Sequence, residues 1–279
     1  MNFVIWGEDK STKNTLAFTA PKPMVDMELD IGGFHRACRN LSIPENKETG
    51  YAGLNLPIKD WYSQGLIRLE QFPMPFQIGK VDLITSTITP TKLVVGMKEL
   101  FYKFAGRFIA LLEDEEVQTI MIDTGSLMYD MVCQAYLQEL QEKQLPIAAN
   151  GKGSDGKPLR TQLQQIEYRE PYIRMRGFAY QAKAHNKHLV VTHHATDEYG
   201  FTKMADGTIG KGVTGKRTLH GWGQWGDSAD VVGQVYWDSK LKKPFFKVEL
   251  AEVKEMEGWV CEEPTFDKIQ GFIKMVRGD

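Results

Sequence analysis

Hydrophobic residues along this chain fall into two kinds of block that alternate. Short runs have the period of a strand, and longer stretches with apolar positions three or four apart have the period of a helix. Phe3-Val4-Ile5-Trp6 predicts a buried strand over residues 2–6. A polar loop follows from Gly7 to Thr12, then a short helix from Lys13 to Ala20 that Pro21-Lys22-Pro23 stops. Met24 to Asp30 predicts a second strand, with Val25, Met27 and Leu29 on one face and Asp26, Glu28 and Asp30 on the other; Gly32-Gly33 ends it. Residues 40–90 are irregular, with short strands at 66–70 and 81–87, and are read as an insertion in the core. Thr89 as N-cap and Pro90 as first helical residue predict a helix running to about Leu112. Val117 to Asp123 is a strand whose Ile120-Met121-Ile122 run implies burial on both faces. A helix from Ser126 to Lys143, a loop from Pro146 to Arg160, a helix from Gln162 or Pro171 to His185 and a strand at Leu189–Thr192 follow. Residues 200–227 are Gly-rich and predict a mobile loop. Strands at 229–237 and 244–252 form a hairpin, and Thr265 caps a terminal helix.

This alternation predicts an α/β fold, a mostly parallel sheet flanked by helices with a C-terminal antiparallel hairpin, as a single domain over residues 1–279. The sequence shows no internal repeat. Lys and Arg total 34 against 36 Asp and Glu, a net charge of −2, which excludes a surface built throughout to coat nucleic acid. Any such contact would run through a local basic patch. Cys38, Cys133 and Cys261 are too far apart to suggest a metal-ligand set, and they imply a reducing, cytoplasmic setting. The strand-like start, followed by charge, does not have the form of a signal peptide. The most apolar long stretch, residues 91–112, carries Lys98, Glu99, Lys103 and Arg107, so it predicts an amphipathic helix and no membrane span.

The chemistry concentrates where the first strand meets the first helix. Gly7, Glu8, Asp9, Lys10, Ser11, Thr12, Lys13, Asn14 and Thr15 occupy the place of a phosphate loop, whose full pattern is GxxxxGK[ST]. Gly7 and Lys13 have the right spacing, but Thr12 replaces the second Gly and Asn14 replaces the hydroxyl that binds Mg²⁺. Thr15 falls one residue late, and the Asn14 amide oxygen offers a weaker metal ligand. On spacing alone the segment is either a phosphate loop or a solvated turn.

Five stretches, FVIWGEDKSTKNTLAFTAP, PMVDMELDIGGFHRA, VQTIMIDT, HLVVTHHATDEY and SADVVGQVYWD, resemble in order and spacing the phage-encoded RecA-like P-loop ATPases. Some of these act as single-strand-annealing recombinases. The resemblance spans about residues 2 to 252. It implies a RecA-like core that binds ATP and Mg²⁺, with Lys13 on the phosphates and Asp123, with Asn14 or Thr15, on the metal. It implies a water-orienting carboxylate at Glu28 or Asp30 and a γ-phosphate sensor at His193 or His194. A homo-oligomer acting on single-stranded DNA, alongside a phage single-strand-binding protein, completes the expectation.

Lys203, Lys211, Lys216 and Arg217 lie among glycines with a single Asp206 between them, followed by Trp222 and Trp225. Cations beside aromatic rings suit single-stranded DNA, so Lys211, Lys216 and Arg217 are the candidate DNA contacts. Lys216 or Arg217 could instead reach a neighbouring subunit's phosphate. The tryptophans fit core packing better, and the loop at 151–160 is a second basic candidate. Two other functions stay open: a degenerate nucleotide-binding module with little or no hydrolysis, and a metal-dependent nuclease using Asp26, Glu28, Asp30 and Asp123.

Overall fold

A computed structural model of the chain describes residues 1–42, 56–76, 80–82, 87–89, 92–144, 158–203 and 208–278. Its strands are β1 (Asn2–Gly7), β2 (Met24–Glu28), β3 (Ile67–Gln71), β4 (Lys80–Asp82), β5 (Thr87–Thr89), β6 (Thr119–Asp123), β7 (His188–Lys203), β8 (Ile209–Leu219), β9 (Val231–Asp238), β10 (Lys243–Ala251) and β11 (Val260–Glu262). The helices are α1 (Lys13–Ala17), α2 (Gly33–Ser42), α3 (Ile58–Ser63), α4 (Met97–Glu113), α5 (Gly125–Lys143), α6 (Arg169–Ala184) and α7 (Phe266–Arg277).

One sheet organises the molecule, in the order β11-β10-β9-β1-β7-β6-β2-β3. The six strands from β9 to β3 are parallel, and β10 and β11 continue the β9 side antiparallel. The fold is therefore α/β, a mostly parallel sheet flanked by helices and closed by C-terminal antiparallel strands. Its central strands are apolar on both faces because both are covered. Val4, Trp6, Val25, Met27, Ile120, Ile122 and Leu189 pack with α4, α5 and α6. Phe3, Ile5, Met24, Met121 and Val190 pack on the other side with α1, α2 and α7. No helix among the described residues is long and apolar enough to cross a membrane.

Several elements differ from the sequence expectation. Thr89 is not an N-cap but the last residue of β5, which pairs with β4. The helix begins at Met97, after Gly96 in the left-handed region at φ 86°. Its first turn is capped from another helix, with Gln138 Oε1 accepting from Lys98 N at 3.0 Å, and Gln141 Oε1 holds the segment before it by accepting from Val94 N at 2.8 Å. A cap supplied across 40 residues leaves no local signal. The expected mobile loop over 200–227 is instead largely a ribbon, because β7 runs on to Lys203 and pairs antiparallel with β8, each satisfying the other's backbone. Residues 204–207 and most of the basic 151–160 loop lie outside the described residues. Within 40–90, β3 extends the main sheet beside β2, while β4 and β5 pair only with each other. Helix α2 was not anticipated, and α1 is three residues shorter than expected.

Phe3 is fully buried, edge-on to Phe246 and Phe266 with ring centroids 5.3 and 5.9 Å away. Phe3→Ala should lower unfolding free energy by about 3–5 kcal/mol in a denaturant titration, whereas Ile109→Ala on the exposed face of α4 should change it by about 0.5 kcal/mol or less.

Candidate functional site

The parallel pairings end together. Register places Gly7 beside His194 and Glu28 beside Asp123, so the loop after β1, the ends of β2 and β6 and the middle of β7 share one edge of the sheet. Open α/β sheets bind ligands at this carboxyl edge. A cavity of about 570 Å³ opens there, lined by Asp9 to Thr15, Asp30, Gly33, Arg36, Asp123, Thr124 and His194 among others. That volume lies within the ordinary range for small-molecule sites.

The loop has a specific backbone. Thr12 holds the left-handed region at φ 72°, the conformation that explains a glycine in the usual phosphate-loop pattern. Gly7 must lack a side chain, because a Cβ there would overlap the Val235 carbonyl of β9. Lys13 folds back into the loop, its Nζ donating to the Gly7 carbonyl at 2.9 Å and the Glu8 carbonyl at 2.7 Å. Burial holds its pKa below the usual lysine value. The Ser11 hydroxyl is buried in the loop without a hydrogen-bond partner. Helix α1 has only five residues, so its dipole adds little, and the loop's affinity for an anion must come from Lys13 and the backbone.

Asn14 and Asp123 meet across 2.7 Å, with Nδ2 donating to Oδ2. The other carboxylate oxygen accepts from Thr192 Oγ1 at 2.6 Å. Asp123 does not cap the following helix; Thr124 does, its hydroxyl accepting from Leu127 N at 3.2 Å. Gly33 lets α2 approach this pair, since a Cβ there would overlap the Asp123 carboxylate and the Asn14 amide. Asp123 forms the floor at 1 % exposure, and burial raises its pKa to about 6 against the lowering effect of Thr192 and Asn14. Thr15 is buried behind Asn14 and also lines the cavity.

The two expected carboxylates have different surroundings. Glu28 is 1 % exposed and holds the next turn together, accepting from Gly32 N at 3.0 Å, Phe34 N at 3.3 Å and Gln71 Nε2 at 3.0 Å. Asp30 lines the cavity and pairs with Arg36 at 2.6 Å.

The histidines divide in the same way. His194 lines the cavity, its ring 3.4 Å from Asp9 and 4.0 Å from Asp30. His193 is fully buried on the other face; its Nε2 accepts from Trp225 Nε1 at 3.0 Å, which leaves Nδ1 to donate to the His220 carbonyl at 2.9 Å. The structure therefore places Lys13, Asn14, Thr15, Asp30, Asp123 and His194 together, and sets Glu28 and His193 outside the cavity. Sequence reasoning missed Arg36, Ser11 as an orphaned hydroxyl, and Thr192. Arg36 follows the Gly-Gly pair on a helix that had not been anticipated, so nothing in the sequence aimed it at the loop.

On the β7–β8 ribbon, Lys211 and Lys216 are exposed. Tyr199, Phe201 and Ile209 are 76 %, 75 % and 79 % exposed, and pairing sets Phe201 opposite Lys211 and Lys203 opposite Ile209 on one face. Arg217 is engaged within its own chain, bonding Glu8 of the loop at 2.6 and 3.0 Å and Asp197 at 2.6 Å. Trp222 and Trp225 are buried, packed edge-on at 4.6 Å.

No family model and no curated protein matches the chain. Among solved structures it is similar to a crystal structure of the RadB recombinase, with 11% identity and a TM-score of 0.42, over 94% of this chain and 85% of that one. Likeness at that level says nothing about the site, which stands on its own geometry.

Burial pushes the His193 pKa down to about 3. The unfolded imidazole takes a proton near pH 6.5, so below that the unfolded state holds one more proton and this residue's contribution falls with pH. The stability difference between wild type and His193→Gln should shrink by about 2 kcal/mol between pH 7 and pH 5, measured by urea unfolding at each pH.

Proposed function

We propose that the protein is a RecA-like P-loop nucleotide-binding protein that takes ATP at the cavity beside Lys13 and acts on single-stranded DNA through the β7–β8 ribbon. The observation that carries this reading is the convergence of Lys13, the orphaned Ser11 hydroxyl and the Asn14–Asp123 pair on one cavity at the carboxyl edge of the sheet. The Lys13 ammonium rests on two carbonyls of its own loop, contacts that an anionic phosphate would replace with stronger, charge-assisted ones.

The donor set fits a phosphate-bound Mg²⁺. Asp123, with Asn14 or Thr15, would hold it, and its chemistry is neutralisation of phosphate charge. The rest falls to this chain's side chains. Lys13 binds the phosphates, Asp30 orients the attacking water, and His194 donates to the terminal phosphate. Arg36 positions the Asp30 carboxylate through their ion pair. Glu28, which accepts from three donors, lies outside the cavity lining.

On the ribbon, Tyr199 and Phe201 offer faces for bases, and Lys203, Lys211 and Lys216 offer charge for the backbone. Arg217 joins this surface to the phosphate loop through its ion pair with Glu8, the link through which bound DNA would act on the nucleotide site. Assembly into a homo-oligomer in a phage recombination or replication pathway, beside a single-strand-binding protein in the host cytoplasm, belongs to the same proposal. A second reading, nucleotide binding without turnover, draws on Asn14 in the hydroxyl's place and on Asp30's ion pair. The nuclease reading, with Asp26, Glu28, Asp30 and Asp123, draws less on the geometry: Asp26 and Glu28 are at most 1 % exposed and outside the cavity lining, so only Asp30 and Asp123 face it.

Lys13→Ala should weaken binding of a fluorescent ATP analogue with Mg²⁺ by about 100-fold without altering the circular dichroism spectrum. Unchanged affinity would remove Lys13 from the site and the reading with it. ATP turnover with and without single-stranded DNA separates hydrolysis from binding alone. Tyr199→Ala and Phe201→Ala should each cost about 1–3 kcal/mol of single-stranded DNA affinity. Lys211→Ala and Lys216→Ala should each reduce the salt slope by about 0.7, and DNA binding unmoved by all four would discard the ribbon.

A further inference from the structure

Below the phosphate loop, on the α1–α2 side of the sheet, three carboxylates converge. One oxygen from each of Asp26, Glu28 and Asp123 lies within 4.8 Å of the others. Asp26 and Glu28 project from the same face of β2, and Asp123 is the β6 residue paired with Glu28.

The decisive residue is Asp26. It is fully buried, and neither of its oxygens has a hydrogen-bond partner. Its neighbours differ. Both Glu28 oxygens accept from backbone N–H groups or the Gln71 amide, and both Asp123 oxygens accept from Thr192 and Asn14. All of those donors are neutral, so hydrogen bonding leaves the trio's negative charge uncompensated. A lone carboxylate in an apolar interior is among the most unfavourable groups a fold can hold. Protonating Asp26 would remove its charge alone, whereas a cation would both offset the trio's charge and give the Asp26 oxygens a partner.

We propose that Asp26, Glu28 and Asp123 bind a hard divalent cation that is separate in its requirement from nucleotide. Three carboxylates whose oxygens lie within 4.8 Å of one another suit a hard cation with oxygen ligands, of the class of Ca²⁺, Mg²⁺ or Mn²⁺. Such an ion joins β2 to β6 and fixes the Asp123 carboxylate that the nucleotide site uses. The inference goes beyond the nucleotide reading and shares only Asp123 with it.

The test uses the full chain, stripped with EDTA and free of nucleotide. Mn²⁺ is titrated in, free Mn²⁺ is followed by electron paramagnetic resonance with Ca²⁺ as competitor, and thermal unfolding is recorded with and without each ion. One Mn²⁺ per chain, displaced by Ca²⁺, with a rise in Tm, is the expected result. Asp26→Asn should weaken Mn²⁺ by about tenfold or more and abolish the rise in Tm, and Glu28→Gln should do the same if the first variant folds poorly. Lys13→Ala, expected to weaken nucleotide binding, should leave Mn²⁺ affinity within about twofold, so failure of the nucleotide reading and failure of this one are distinguishable. Absence of stoichiometric Mn²⁺ binding by the wild-type chain would overturn the proposal, as would Asp26→Asn binding Mn²⁺ like the wild type. An Asp26→Asn variant more stable than wild type in both EDTA and Mn²⁺ would show that Asp26 carries a proton instead.

Discussion

The contact between the Asn14 amide and the Asp123 carboxylate decides whether this molecule has one site or two unrelated loops. It joins the loop after the first strand to the end of β6, a separation of 109 residues, at the carboxyl edge of the parallel sheet. Sheet register brings the two near each other, and the missing side chain at Gly33 lets α2 close over them. Without that contact Lys13 and Asp123 would be features of separate turns. With it they face one cavity, and the carboxyl-edge rule for open sheets gains specific atoms.

Legibility from sequence followed the range over which each signal acts. The central strands were readable because their apolar runs record burial on both faces, a property of consecutive residues. Gly7 and Lys13 were readable because loop chemistry is local. Glu28 and Asp30 looked equivalent in the strand pattern, but Glu28 lies within β2 and accepts from the turn, whereas Asp30 lies past its end and faces the cavity. His193 and His194, as neighbours on a strand, lie on opposite faces, and only Trp225, 32 residues on, determines which is interior. The ribbon was misread because its glycines suggested a loop. The alternation of Tyr199 with Phe201 carried the strand signal, and pairing with β8 made it count. The start of α4 was misplaced since its cap, Gln138, comes from α5.

Charge at the carboxyl edge is the recurring problem this fold solves. Asp123 is stabilised by neutral donors, Asp30 by Arg36, Glu28 by backbone N–H groups, and Asp26 by none of these. Placing many carboxylates at one buried edge raises the free energy of the chain alone and lowers it when positive charge arrives. Such an edge is destabilised in isolation and favours cations, which is how a binding site differs from a merely acidic surface.

The same logic explains the departures from the usual phosphate-loop pattern. Thr12 in the left-handed region carries strain of order 1–3 kcal/mol that a glycine would not. Asn14 exchanges a hydroxyl for an amide that already bonds Asp123. Neither change blocks the loop, since the Thr12 backbone keeps the required turn and Lys13 keeps its reach. On the proposed reading both alter what nucleotide would do on arrival. The Lys13 ammonium would leave the Gly7 and Glu8 carbonyls, and Asn14 would turn its oxygen rather than its NH₂ toward a metal. A loop already satisfied by its own lysine and asparagine gains less on binding than an unsatisfied one, and its affinity rests on how much stronger a phosphate contact is than a carbonyl one. That difference favours phosphate, because an ammonium meeting full negative charge in a half-buried cleft outweighs the same ammonium between two dipoles.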